Sequence, residues 1–467
     1  MVPYFPKAIS NKGLTVYAIS LLIVSVVFIN YAMGVVWIAM GLLEVALFFL
    51  LSNRLSIDWQ YFSHKTFAQN LFGIGFLLRA VWVIFSYYFY TYHTGIPFEF
   101  DPADSLYYYE ESEWLRKESL SQIWYYLIVV PDAVSDSGYL FYLALLQKIT
   151  GYNIILVRLV KALISAYTCV LLYKLAKRTA GEEVGRMAGI FAMLMPNLII
   201  YCGLHLKETE MVFLAVAFLE RTDYLLRAPK FKIVNLILPL LIAVALFTFR
   251  TVIGAVVLFS LVTATIFMPN HTMKKGRRIV VLLWAILAVA VLAGGTIMNE
   301  VEEVWNGRGS NQEAKRSEQT ARGNQWARYA TAPIMAPMMF VMPFSTMVDT
   351  NQNNQKVMHG GNYVRNFMGG LVLIALFVII FKEKKWRDFA LIGSYGIAYL
   401  GIIAMSGFAN AERFLLPGLP ALIILWAFGV SVLNPKRLKF MKIWFFIVPI
   451  MEFAWAFFKL GSRGMGL

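Results

Sequence analysis

Apolar runs separated by short polar turns set the rhythm of this chain. Thirteen stand out, near residues 14–32, 34–52, 70–91, 153–175, 187–203, 208–226, 233–249, 251–268, 279–297, 366–381, 388–406, 414–432 and 441–458. A helix needs about 20 apolar residues to cross a hydrocarbon core of about 30 Å, and runs near that length recur from end to end. They lack the apolar/polar alternation of membrane-barrel strands. Helices also satisfy their own backbone groups in lipid. The pattern predicts an all-α, polytopic membrane bundle of about 13 transmembrane helices, one integral membrane domain over residues 1–467.

Two long stretches interrupt the rhythm. Residues 92–152 hold an acidic cluster and two apolar segments, 122–130 and 138–149, too short or too interrupted to span. These read as helices lying in the membrane interface. Residues 298–365 form the second stretch. Its first half is polar (Glu300, Glu302, Glu303, Arg308, Glu313, Lys315, Arg316, Glu318, Arg322). Its second half is rich in Met and Pro (Pro333, Met335, Pro337, Met338, Met339, Met342, Pro343) and reads as a re-entrant or membrane-surface segment. No internal repeat is evident, which weighs against a transporter built from inverted repeats.

Composition and charge orient the bundle. Apolar residues make up 59% of 467 and charged residues 15%, against about 25% charge in a soluble domain. The net charge of +15 is concentrated in short loops: Lys174–Arg178, Lys274–Arg278, Lys382–Arg387 and Lys436–Lys439. By the positive-inside rule these loops are cytoplasmic, which puts the N-terminus inside and both long stretches outside. Lys459 and Arg463 run against that trend, because they follow the last span on the predicted outer side. A nucleic-acid partner would need a basic face on a folded domain, and the chain has none. Lys7 and Lys12 ahead of the first run resemble a signal peptide, but the second run follows closely, so an uncleaved helical hairpin is expected. Cys169 and Cys202 fall inside spans as small buried hydrophobes.

The candidate chemistry gathers on the outer side. Asp101 and Asp104 follow the third span, flanked by Pro102 and by Tyr107, Tyr108 and Tyr109. A helix starting after Pro102 would place both acids at its positive end, where they would be caps alone. As a functional pair, one is a general base and the other its orienting partner or a metal ligand. Glu110, Glu111 and Glu113 read as a solvated face. His205, Lys207 and Glu208 occupy a turn between two spans, Arg250 a turn of almost no length, and Glu412-Arg413 the approach to a late span. Cations from separate turns facing a carboxylate suit a reaction in which a phosphate leaves, because they stabilise the charge developing on it. Arg158 and Lys161 share one face near the outer start of the fourth span, to snorkel or to bind a phosphate-bearing lipid. Arg79 lies mid-span, where an ionisable residue needs a function or a polar partner such as Asn197 or Asp223. His64, His93, His271 and His359 show no zinc-ligand spacing.

These elements occur in a telling order. Asp101-Pro102-Ala103-Asp104 with Tyr107-Tyr108 comes first, then Gly138-Tyr139-Leu140-Phe141-Tyr142 leading to Gly151-Tyr152-Asn153. Pro196 ahead of Lys207-Glu208, Arg250 after a span, and Glu412-Arg413-Phe414-Leu415-Leu416-Pro417 follow. Over residues 70–432 the chain resembles the GT-C superfamily of membrane glycosyltransferases, near the bacterial group allied with protein O-mannosyltransferases and the lipid A aminoarabinose transferase. The resemblance implies inverting transfer of a sugar from a polyprenyl-phosphate carrier to a glycan, lipid or protein acceptor at the outer face of the cytoplasmic membrane. It implies a loop aspartate as base, carried here onto Asp104 with Asp101 second. His205, Lys207, Glu208, Arg250, Arg413, Arg158, Lys161, Tyr107 and Tyr108 are then the expected substrate-binding residues. The resemblance makes no cofactor certain and leaves room for a divalent cation. Two alternatives compete: a flippase for a lipid-linked saccharide, and a surface-polysaccharide polymerase or ligase using Arg308, Arg316, Arg322 and Arg328 of the second stretch.

Overall fold

The elements begin and end where local chemistry dictates. The computed structural model describes residues 4–129, 134–228, 232, 234–269, 275–292, 313–314, 316–324, 336–406 and 411–465. Helix accounts for 83% of it, and no strand forms among the described residues. Helices α1 (Lys7–Val27), α2 (Val35–Asp58) and α3 (His64–Thr94) open the chain. Ser63 caps α3 by accepting from the Thr66 amide at 3.2 Å, and Gly95 ends it with φ 79°, a left-handed conformation that costs glycine little. The first long stretch folds into α4 (Ala103–Lys117), α5 (Leu120–Val129) and α6 (Val134–Thr150). Asn153 then caps α7 (Ile154–Ala180) with bonds from the amides of Ile155 and Leu156.

After α7 come α8 (Glu182–Leu194), α9 (Pro196–Ile200), α10 (Glu208–Arg227), α11 (Val234–Phe249), α12 (Thr251–Phe267) and α13 (Lys275–Leu292). The last third holds α14 (Asn353–Val357), α15 (His359–Phe377), α16 (Ala390–Ala404), α17 (Glu412–Leu415), α18 (Leu419–Ser431) and α19 (Pro435–Gly461). Among the described residues seven helical segments are long and apolar enough to cross a membrane: α1, α2, α3, α7, α15 with its continuation to Lys382, α17–α18 and α19. The α8–α9 pair makes an eighth if taken as one span. The chain is thus a helical protein with membrane-spanning character. The other runs also form helices in their described residues. Those of α11, α12 and α16 are short, at 16, 17 and 15 residues, and α10 carries Glu208, Glu210, Glu220, Arg221 and Asp223. The run at 279–297 is described only to Leu292.

Two differences from the apolar pattern have clear causes. The expected continuous span 187–203 is broken, because α8 and α9 meet at a 55° bend before Pro196. Proline has no amide hydrogen, so the Ala192 carbonyl four residues earlier loses its helical partner. Arg79 supplies the donors instead. Its guanidinium reaches the Ala192 carbonyl at 3.1 Å and the Met193 carbonyl at 3.2 Å, with Ser165 Oγ at 2.8 Å. Neither Asn197 nor Asp223 is its partner: Asn197 donates to Asn362, and Asp223 accepts from Arg178 and Arg227. The buried Arg79 is the structural cap of a broken helix.

The second difference is that α15 starts seven residues before the expected 366. Its polar first turns are buried because they find partners inside the protein. The His359 ring lies 2.8 Å from Tyr17 Oη, and Glu44 accepts from the Gly361 amide at 2.8 Å. The Met/Pro segment from 336 to 350 packs beside them, largely buried and almost without regular structure. Asn366 holds it by donating to the Val341 and Pro343 carbonyls and accepting from the Ser345 amide. Irregular backbone is tolerated in such surroundings when protein groups satisfy it. Glu300, Glu302, Glu303, Arg308, Lys315, Arg328, Pro333, Met335, His271 and Lys274 lie outside the described residues.

Candidate functional site

The segment joining α3 to α4 is pinned before it delivers its acids. Asn354 of α14 grips the Phe100 backbone from both sides, accepting from its amide at 3.1 Å and donating to its carbonyl. Asp101 turns the chain with φ 53°, a conformation that aspartate tolerates better than most residues. Pro102 precedes the first helical residue, and Asp104 sits in the first turn of α4, where helix dipoles favour negative charge. Neither aspartate is a side-chain cap. Glu99 folds inward, 6% exposed, and accepts from Ser105 Oγ at 2.5 Å. Burial pushes its carboxyl above the usual range, and Ser105, Arg158 and Lys161 only partly offset that.

These acids line a cleft of about 360 Å³. Glu99, Asp101, Asp104, Tyr201, Asn354, Gln355, Glu412 and Arg413 supply most of its polar wall. Arg413, from α17, forms an ion pair with Asp104. Residues 309 positions apart in sequence therefore meet at one point. The Arg413 guanidinium lies 4.7 Å from the centre of the Phe414 ring, and that of Arg250 lies 4.4 Å from the same ring. An aromatic face holds a guanidinium without neutralising it. Among the described residues Arg250 has no carboxylate partner.

Lys207 stands one step further along. It ion-pairs with Asp136 of α6 and donates to the Phe249 carbonyl at 2.9 Å. Asp136 also accepts from Tyr108 Oη at 3.0 Å, one helical turn beyond Asp104. Burial pulls the Lys207 ammonium below its ordinary range and Arg250 adds to that, while Asp136 pulls it back up. Gly138 makes the crossing possible, since a Cβ there would meet Thr248 Oγ1 at 2.2 Å. The close approach of α6 and α11 is what sets Asp136 against Lys207.

The remaining expected residues have other surroundings. Arg158 is fully buried, donates to the Pro97 carbonyl at 2.6 Å and lies over the Phe98 ring. Lys161 donates to the Leu204 carbonyl at 2.8 Å and to that of Leu206, with Glu210 at 3.6 Å. Both brace the walls behind the cleft from inside. His205 is fully buried between Phe98 and Tyr109, and burial with Arg158 and Lys161 nearby holds it neutral. Glu208 is buried in the first turn of α10. Tyr107 is half exposed, its ring 5.5 Å from that of the buried Tyr108. Among the described residues no group of three or more His, Cys, Asp or Glu is placed to hold a metal ion.

No protein-family model matches this chain. No curated protein matches it either. The geometry therefore carries the functional argument alone. It adds Glu99, Asp136, Asn354 and Tyr201 to the residues singled out by sequence. Glu99 had a readable signal, an acid between Phe98 and Phe100 beside the aspartates. Asp136 and Asn354 had none, because they matter only through partners remote in sequence.

Proposed function

We propose that this chain is a glycosyltransferase of GT-C type. On this reading it moves a sugar from a polyprenyl-phosphate carrier to a hydroxyl or amine acceptor at the outer face of the cytoplasmic membrane. The observation that carries the proposal is the Asp104–Arg413 pair in a cleft, with Arg250 over the same Phe414 ring. An acid and a cation that neutralise each other at rest are both released when an anion arrives. The donor phosphate draws Arg413 away and leaves the Asp104 carboxylate free. Asp104 then takes the proton from the acceptor as that group attacks the anomeric carbon. The bond from that carbon to the phosphate oxygen breaks, and the electron pair leaves with the phosphate. Arg413 and Arg250 stabilise the charge developing there. Glu99, whose carboxyl lines the same cleft, hydrogen-bonds a sugar hydroxyl. No step is routed through a metal ion.

Purified protein in lipid nanodiscs, given a panel of polyprenyl monophosphate and diphosphate sugars, tests this reading. Transfer from a monophosphate donor is the expected result. Transport across the bilayer without chemistry would overturn it in favour of a flippase. A second reading, block transfer from a diphosphate donor, draws on one observation: Arg322 of the second long stretch lines a cavity adjoining the cleft. Product from the diphosphate donor alone would favour it.

A further inference from the structure

The charge along the cleft wall is unequal. Four carboxyl groups (Glu99, Asp101, Asp104, Glu412) and one guanidinium (Arg413) line it. Arg413 and the neighbouring Arg250 are the cations it offers an anion. A second cavity, about 250 Å³, shares two wall residues with it, Gln355 and Ala411. Its charges are reversed, with Arg322, Lys459 and Arg463 facing only Glu318. The two compartments sit side by side with opposite sign.

We propose that this second compartment is an oxyanion-binding site, for a phosphate or carboxylate group. Its cations are held for an incoming ligand. Lys459 lies 5.1 Å from the centre of the Trp455 ring and donates to Gln355 Oε1 at 3.0 Å. Both contacts fix the ammonium and leave its charge intact. Gln355 is itself positioned by Thr346 Oγ1, 3.3 Å from the same oxygen. Among the described residues neither Lys459 nor Arg463 forms an ion pair within 4 Å; Glu412 and Glu318 act on them only from further away. Arg322 pairs with Glu318 at 2.5 Å, on the same helical face four residues apart. Burial and the neighbouring Arg322 both disfavour the Arg463 cation, and a bound anion relieves both. Lys459 and Arg463, which run against the positive-inside trend in the sequence, thereby acquire a reason to be there. This is a statement about equilibrium binding, and it stands or falls separately from the sugar-transfer reading.

Trp455 lines the compartment and reports on it. Intrinsic fluorescence is recorded for the full chain and for Trp455→Phe, and the difference isolates the Trp455 signal. In nanodiscs of phosphatidylcholine, titration with inorganic phosphate and then pyrophosphate is expected to give a saturable, salt-sensitive change. If the anion comes from a lipid headgroup, the change appears instead when phosphatidylglycerol is included. Either response supports the site, and silence in both arms overturns it. Lys459→Gln and Arg463→Gln should each weaken binding about tenfold, while Arg54→Gln, at an exposed residue paired with Asp58 outside the compartment, leaves it unchanged. Glu318→Gln removes the competing carboxylate and should tighten binding severalfold, a gain that misfolding does not produce. Equal affinity in the wild-type chain, Arg463→Gln and Glu318→Gln would also overturn the proposal.

Discussion

The two ends of the bundle treat charge in opposite ways. At the end where α7 turns into α8, Glu182, Glu220 and Asp223 are each held by more than one cation. Glu182 accepts from His64, Tyr173 and Arg186 at 2.8 Å each, and from Lys177 at 2.9 Å. Arg178 bridges Glu220 and Asp223 at 2.8 and 2.9 Å, and Arg227 completes Asp223 at 2.7 Å. The cavity beside Arg186 there is about 10 Å³. At the other end, where α4 and α17 meet, the cleft is about 360 Å³. There Arg250 rests on an aromatic ring and Glu99 on one serine. A saturated network has no valence left for a ligand, so it locks helices together. An open one keeps interaction capacity in reserve at a cost in stability. The difference separates scaffold from candidate site without reference to any relative.

Substitutions should split along that line. Asp104→Asn is expected to lower sugar transfer by about 10²–10⁴-fold, the usual share of a general base. Its melting temperature in detergent should stay within a few degrees of the parent. Full activity would remove Asp104 from the mechanism. Arg178→Met should do the reverse. It takes one cation from each of the buried Glu220 and Asp223, 4% and 1% exposed, and leaves them Arg221 and Arg227, at about 2 kcal/mol. Thermal unfolding of the purified variant measures this, and an unchanged midpoint would show that the ends do not differ as described. Arg250→Gln should lower kcat/KM about 10²-fold, as loss of one charge-stabilising donor does, with stability unaltered. A fall in stability alone would move Arg250 to the scaffold.

The smallest effect concerns Glu99 and pH. Its folded carboxyl titrates above the ordinary glutamate value of 4.5 because it is buried. Near and below pH 4.5 both folded and unfolded forms hold the proton, and no cost arises. As pH rises from there towards the folded value, the unfolded chain releases its proton first, and stability falls. Glu99→Gln has no such proton, so its melting temperature should decline less than the parent's over that window. Parallel pH profiles for the two proteins would refute the burial argument.

Much of the fold was legible in the sequence, and the reasons are local. Asn153, Ser63 and Gly95 mark helix ends through bonds and dihedral angles of neighbouring residues. The long apolar runs mark the helices because burial in lipid or protein demands them. Pro196 lay inside a run read as one continuous span, and nothing near it in sequence showed that Arg79, 117 positions earlier in the chain, would cap a break there. Arg413 and Asp104 were both legible as candidates, while their pairing was not. Arg158 and Lys161 looked like lipid-facing cations and turned out to brace backbone carbonyls from inside.

The sequence by itself determined the helical membrane character, the approximate places of the long apolar helices and the types of charged residue available, since each follows from composition or from contacts within a few residues. Only the tertiary structure decided which charges are neutralised and which stay open. A charge's chemistry depends on what lies within about 4 Å of it. In a bundle of long helices those neighbours arrive from segments hundreds of positions away.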